Sequence, residues 1–217
     1  MTTFKQFTLH LQECLQTSPH VIFEYFLLNQ PNAEQIIHVL WQQEEESVFT
    51  KLRSFAELQG MVISKKKEGT LLNISFKNGN SCQLYFMTVL LHEGKTFLDA
   101  NEILKQKQSS TKGISIPNIE HLFEFGILHH FLNNEGLDKK YQDHFEGFHY
   151  FVQEGLLEFF NDKYNTTFTS MGSLEEFNQK EKSAMMAFID SLPANQFFHK
   201  MNVRWKNFVG YLRQAKF

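Results

Sequence analysis

Gln83-Leu84-Tyr85-Phe86-Met87, then Phe97-Leu98-Asp99-Ala100-Asn101-Glu102-Ile103-Leu104, then Ile116-Pro117-Asn118-Ile119-Glu120-His121-Leu122-Phe123-Glu124-Phe125 carry the change from strand to helix that decides the fold. The first segment reads as a strand, and Pro117 stands where a proline precedes a helix, here expected over Ile119 to Asn133. Upstream lie three strand candidates, Met61 to Lys65, Leu71 to Lys77 and Cys82 to Val89. They are separated by Glu68-Gly69 and by Asn78-Gly79, the latter a hairpin signal. Downstream, Asn133-Asn134-Glu135-Gly136 is a loop before a helix from about Asp138. Leu174 to Ser191 and Asn195 to Ala215 read as further helices on either side of Pro193.

Toward the N-terminus, Phe4, Phe7, Leu11 and Leu15 recur at near-helical spacing, which predicts an amphipathic helix over Thr3 to Gln16, ended by Pro19. Val21 to Leu28 is short, apolar and bounded by Pro19 and Pro31, so it reads as a buried strand, with a helix as the alternative. Gln35 to Leu40 is the next strand. Glu44-Glu45-Glu46 then opens a helix with Val48, Leu52, Phe55 and Leu58 on its stripe, the negative first turn suiting the helix dipole, and Gly60 closes it. The order is helix, strand, strand, helix, antiparallel run, then helices. An α+β domain over residues 1–112 and a helical domain over 113–217 follow, with a soft boundary near Lys112.

A chain of 217 residues can bury a core without disulfide or metal staples. Its two cysteines, Cys14 and Cys82, form no C-x-x-C or Cys/His cluster and read as reduced apolar residues, which implies a cytoplasmic location. Twenty-four phenylalanines against four prolines favour long helices packed by aromatic rings. No stretch reaches the roughly 18 to 20 apolar residues of a membrane span, and no secretory leader is visible, so a soluble protein without a membrane partner is expected. Ser191 to Phe217 holds five basic and no acidic residues, which leaves −8 on the remainder of a chain whose net charge is −3. Such polarity suits docking of the tail on an acidic surface.

The helix–strand–strand–helix–strand order resembles the nucleotidyltransferase-like family. So does Phe97-Leu98-Asp99-Ala100-Asn101-Glu102-Ile103-Leu104, followed by Ile116-Pro117, Phe123-Glu124-Phe125, Phe131-Leu132-Asn133 and Lys140-Tyr141 with Phe145. The similarity is to bacterial proteins in which such a domain precedes helices and is often fused to a thymidylate-kinase-like domain. Arg204-Trp205-Lys206-Asn207-Phe208 to Lys216-Phe217 resembles the segment just before that kinase begins. The resemblance implies a mixed sheet with flanking helices, followed by a C-terminal helical bundle.

An active member needs Asp-x-Asp on one strand and a third carboxylate on a neighbour, together holding two divalent cations. The first pair falls near Gln35-Ile36-Ile37-His38, where the nearby acid is Glu34. The third falls near Gln83-Leu84-Tyr85, which has none, and Leu28-Asn29-Gln30-Pro31 lacks the glycine of a phosphate-gripping turn. The expectation is a catalytically silent module that binds a nucleotide or regulates a kinase-type partner. It has no catalytic residue, metal or cofactor, and Asn29, Glu34 and Tyr85 are its candidate ligand-binding positions. Two alternatives stand beside it: an active enzyme with acids from unexpected places, such as Glu34 with Asp99, and a protein-interaction module without ligand. Ligand identity, oligomeric state and continuation into a longer protein are open.

Other chemistry is weaker. His129 and His130 are adjacent on a helix and diverge by about 100°, which is unsuitable for joint chelation; His121 with Glu124 supplies too few ligands, and the ten histidines read as structural. Lys65-Lys66-Lys67 reads as a solvated run. Trp205, Phe208 and Tyr211 in the basic tail suit nucleic acid, but Trp205 and Phe208 share a stripe with Met201 and Leu212, so packing is preferred.

Overall fold

The computed structural model of the protein describes residues 3–16, 18–29, 36–42, 46–59, 62–65, 70–76, 81–92, 95–110, 113–132, 137–174 and 177–192. Glu34, Lys66-Lys67, the turns at Glu68-Gly69 and Asn78-Gly79, the loop Asn133 to Gly136 and the helix expected over Asn195 to Ala215 lie outside the described residues. The chain is α+β, as its element order led one to expect. In order the elements are α1 (Thr3–Leu15), β1 (His20–Ile22), a 3-10 turn (Tyr25–Asn29), β2 (Ile36–Trp41), α2 (Glu46–Gln59), β3 (Val62–Lys65), β4 (Thr70–Ser75) and β5 (Ser81–Met87). There follow β6 (Leu90–His92), β7 (Lys95–Leu98), α3 (Ala100–Lys105), β8 (Gln108–Ser109), β9 (Ser115–Ile116), α4 (Ile119–Leu132), α5 (Lys139–Glu146), α6 (Tyr150–Tyr164), a 3-10 turn (Met171–Leu174) and α7 (Gln179–Ser191). No described helix is long and apolar enough to cross a membrane.

Two compact units emerge, one of residues 1–89 and 100–122, the other of 90–99 and 123–217. The first is built on a five-stranded sheet in the order β1-β2-β5-β4-β3. β1 runs antiparallel to β2, with His20 opposite Trp41, and β2 runs parallel to β5, with His38 opposite Tyr85. Parallel neighbours need a long crossover. Here α2, β3 and β4 supply it, and β4 is antiparallel to both β3 and β5.

Strand alternation sorts the sheet into two faces. Ile37, Val39 and Trp41 of β2, Cys82, Leu84 and Phe86 of β5, and Leu72 and Ile74 of β4 share one core with Phe7, Leu11 and Leu15 of α1 and Val48, Phe49 and Leu52 of α2. The rings of Trp41, Phe49 and Phe86 meet at 4.8–5.4 Å, which fixes this as the helix-covered face. Ile36, His38, Gln83, Tyr85, Leu71 and Asn73 therefore point to the other side.

Several sequence expectations are corrected in detail. Leu58 is 84% exposed. It lies about 120° round the helix from Leu52, so the stripe closes with Ala56 instead. The strand expected over Val21 to Leu28 ends at Ile22. Phe23 still donates its N–H to the His38 carbonyl, but Glu24 then turns its side chain inward and the Leu27 N–H closes onto the Glu24 carbonyl, winding the chain into the 3-10 turn. After α3, Gln108 pairs with Ile116 and Ser109 with Ser115 in a short ladder that the sequence reading did not include. Gly113, at φ +74°, makes the turn between them, a conformation glycine adopts without steric cost.

The second unit gathers the later helices around phenylalanine. Phe123 meets Phe145 and Phe160 edge to face at 4.9 and 5.8 Å. The helix expected from Asp138 is two helices: Asp138 caps α5 by accepting from the Lys140 N–H, and His149 caps α6. The helix expected over Leu174 to Ser191 starts only at Gln179. Asn178 accepts from the Glu181 N–H while Glu181 accepts from the Asn178 N–H, a reciprocal capping box that sets the start. β6 and β7 form a two-stranded hairpin in this unit, where Lys95 donates to Asp190 at 3.0 Å.

Candidate functional site

On the sheet face that α1 and α2 leave uncovered, two polar residues from apolar strands meet. Glu24 lies two residues past the end of β1 and is 0% exposed. One carboxylate oxygen accepts from the His38 backbone N–H at 2.6 Å, and the other lies 2.7 Å from His38 Nδ1. Because a carboxylate only accepts, Nδ1 carries the hydrogen and donates it, which fixes the imidazole tautomer and ring orientation. His38 is itself buried on β2. Its ring meets the Tyr85 ring of β5 edge to face, with centroids 5.7 Å apart. Tyr85 is 39% exposed, so the group runs from a buried carboxylate through an imidazole to an open phenol.

The surrounding positions extend a mixed polar and apolar surface. Asn73 and Gln83 face each other across β4 and β5, one register step from the Leu71–Tyr85 pair. The Asn73 Oδ1 is buried without a hydrogen-bond partner among the described residues. Ile36 is exposed at the start of β2. Tyr25, the first residue of the 3-10 turn, has its phenol pushed up by burial and stays protonated.

The three positions proposed from sequence fare differently. Tyr85 stands in the group just described. Asn29 closes the 3-10 turn that follows Glu24, and Glu34 is outside the described residues. Asp99, offered above as a companion to Glu34, is exposed immediately before α3 and is grouped with the second unit. Sequence reasoning missed Glu24 and His38. The signal was present in each case: a lone acid inside Val21 to Leu28 and a lone imidazole inside Ile36 to Trp41, both apolar runs. A buried carboxylate demands a partner, so two such interruptions on neighbouring strands point at each other.

β2 reads Ile-Ile-His-Val-Leu-Trp and β5 reads Ser-Cys-Gln-Leu-Tyr-Phe-Met, so neither strand carries a carboxylate. Glu24, the nearest described acid, has both oxygens engaged by His38. Among the described residues no group of three or more histidine, cysteine or acidic side chains is placed to hold a metal ion. Neither thiol is an activated nucleophile. Cys14 is raised by burial, and burial pushes Cys82 up to about 12.

The second unit has its own buried carboxylate. Glu124 of α4 accepts from the Tyr164 hydroxyl at 2.7 Å and pairs with Lys163 Nζ at 2.5 Å. Burial first, and the Glu124 charge second, hold the Tyr164 phenol far above its ordinary range, so it serves as a permanent donor. This arrangement ties α4 to α6. Comparison with family models, with curated proteins and with solved structures finds no match to this chain.

Proposed function

We propose that the first unit is a nucleotidyltransferase-like module that has given up metal-dependent transfer and binds a nucleotide without a divalent cation. The reading is carried by one observation: His38 and Tyr85 sit side by side, on the parallel strands where the resemblance calls for metal-holding acids. Supporting it, β1, β2 and β5 are adjacent in the sheet, so the two strands on which the resemblance calls for acids are neighbours. Carboxylates there would cage cations bridging a triphosphate; a single imidazole nitrogen and a phenol do not supply the oxygen ligands such hard cations take.

What the group offers instead is a ring and hydrogen bonds. The exposed face of Tyr85 suits stacking of a base, and the amides of Asn73 and Gln83 suit its polar edge. Regulation of a kinase-type partner is the consequence we attach to such binding, since a non-catalytic nucleotide site reports nucleotide level. Thermal shift against ATP, GTP, CTP and UTP tests this. The expected result is stabilisation by at least one of them, equal with magnesium or with EDTA and lost in Tyr85→Ala. No stabilisation by any triphosphate refutes nucleotide binding, and stabilisation only with magnesium favours an enzyme whose acids come from elsewhere.

A protein-recognition role has an observation of its own. Phe151 is 74% exposed at the start of α6, beside exposed Tyr150 and Val152. Failure of every nucleotide arm would move the weight to that surface.

A further inference from the structure

A polar cavity opens at the other end of β1. It holds about 370 Å³, within the range of roughly 300–1,000 Å³ typical of small-molecule sites. It is lined by Gln12 of α1 and Gln16 just after it, by Ser18 in the α1–β1 connection and His20 at the start of β1, and by Lys107 just before β8 and Ser115 of β9. β1 runs from His20 toward Glu24, four residues on, which places the cavity and the Glu24–His38 pair roughly 13 Å apart along the chain. They are separate places on one unit.

Three features mark the cavity as built to hold something. Ser18 lines the cavity, and its buried hydroxyl has no hydrogen-bond partner among the described residues. An unpaired buried hydroxyl is costly unless a ligand takes it up. His20 is fixed beside it: Nδ1–H donates to the Ser18 carbonyl at 2.9 Å, which leaves Nε2 as an acceptor. Burial lowers the His20 pKa, partly offset by its bond to the Ser18 carbonyl, and nearby Lys107 lowers it further. The hairpin wall is held in place by its own bonds, with the Ile114 N–H donating to Ser110 Oγ and the Gly113 N–H to the Ser110 carbonyl.

The chemistry of the lining selects a ligand class. Gln12, Gln16, Ser18 and Ser115 each donate and accept, the pattern that matches hydroxyl groups. Among the described lining residues Lys107 is the one lysine or arginine, and it suits one anionic group. Glu13, at the rim and 3.3 Å from His10, opposes further negative charge. Leu9 and Ile114 give an apolar wall for a carbon ring. We infer that this cavity binds a small hydroxylated monoanionic or monophosphorylated ligand, of the sugar-acid or sugar-phosphate class, with its anion on Lys107 and a hydroxyl on Ser18.

Titration calorimetry on the full chain tests this with four probes: glucuronate, glucose 6-phosphate, glucose and inorganic phosphate. The inference expects binding of glucuronate, glucose 6-phosphate or both at millimolar concentration or tighter, and the stronger arm identifies the anion. Glucose and phosphate alone should bind at least ten-fold more weakly. Lys107→Ala should weaken the better probe ten-fold or more. Ser18→Ala should weaken it three-fold or more without lowering the melting temperature of the free protein, since it removes a hydroxyl that has no partner among the described residues. Absence of binding by both hydroxylated anions overturns the inference. So does binding unchanged in both variants, or binding of phosphate alone as tight as that of the sugar phosphate. Because the nucleotide reading is tested through Tyr85, failure of either site leaves the other readable.

Discussion

Replacing Glu24 by alanine tests the core of the proposed site. The wild-type carboxylate is wholly buried and accepts from both the His38 N–H at 2.6 Å and Nδ1–H at 2.7 Å. Removing it deprives two buried donors of their acceptor, at about 1–3 kcal/mol each, and breaking a buried pair by losing one partner commonly costs about 3–5 kcal/mol. The expected loss for Glu24→Ala is therefore about 3–5 kcal/mol. Glu24→Gln keeps an oxygen for the backbone N–H and can donate to Nδ1 once the imidazole changes tautomer, so a loss of about 1 kcal/mol is expected. Urea unfolding read by Trp41 fluorescence in a Trp205→Phe background follows the first unit. With a slope of about 1–3 kcal/mol per molar, the midpoint for Glu24→Ala should fall by more than 1 M. His38→Ala in the same series completes a cycle. The double variant should be less damaging than the sum of the singles by about 1 kcal/mol or more, because the ring–carboxylate bond is removed once. A loss under about 0.5 kcal/mol for Glu24→Ala, or strict additivity with His38→Ala, would refute the reasoning.

Two further outcomes are expected in the second unit. Gly126→Ala places a Cβ 2.8 Å from Cδ1 of Tyr141, a fully buried ring packed near Phe125 and Phe145. Overpacking of about 1–3 kcal/mol should outweigh the roughly 1 kcal/mol that alanine gains in helix propensity, and a stability equal to or above wild type by denaturant titration would contradict this. His144, at the edge of the Phe145 and Phe148 rings, has its pKa lowered by burial to about 4. Its folded value lies below its unfolded one, so the unfolded chain binds the extra proton. The stabilising contribution is complete above about pH 6.5 and is lost as pH falls toward 4. After allowance for partial exposure it amounts to roughly 1–2 kcal/mol, and His144→Phe should flatten the pH dependence of the melting temperature over that window.

The α+β architecture was legible because periodicity changes along the chain. Phe7, Leu11 and Leu15 repeat at helical spacing and are buried together, while β5 alternates buried and half-exposed residues from Ser81 to Met87. Boundaries were harder where the sequence is uniformly apolar. Val21 to Leu28 offers no alternation to separate a three-residue strand from the 3-10 turn after it, and only the inward turn of Glu24 decides the matter. Similarly, the start of α7 is set by the Asn178–Glu181 capping box, a local hydrogen-bond pattern that hydrophobic spacing does not report. Of the candidate site, Tyr85 was readable from its strand position. Glu24 and His38 showed only as polar interruptions of apolar runs; their pairing, fourteen residues apart in sequence, follows from the β1–β2 register.

On the proposed reading, the His38–Tyr85 surface binds nucleotide without divalent metal. Isothermal titration of the stabilising triphosphate into the wild-type protein, once in EDTA and once in excess magnesium, measures it directly. The account predicts dissociation constants within three-fold of each other, with no pyrophosphate released. A ten-fold or greater gain in affinity with magnesium, or release of pyrophosphate in the presence of an acceptor, would contradict it.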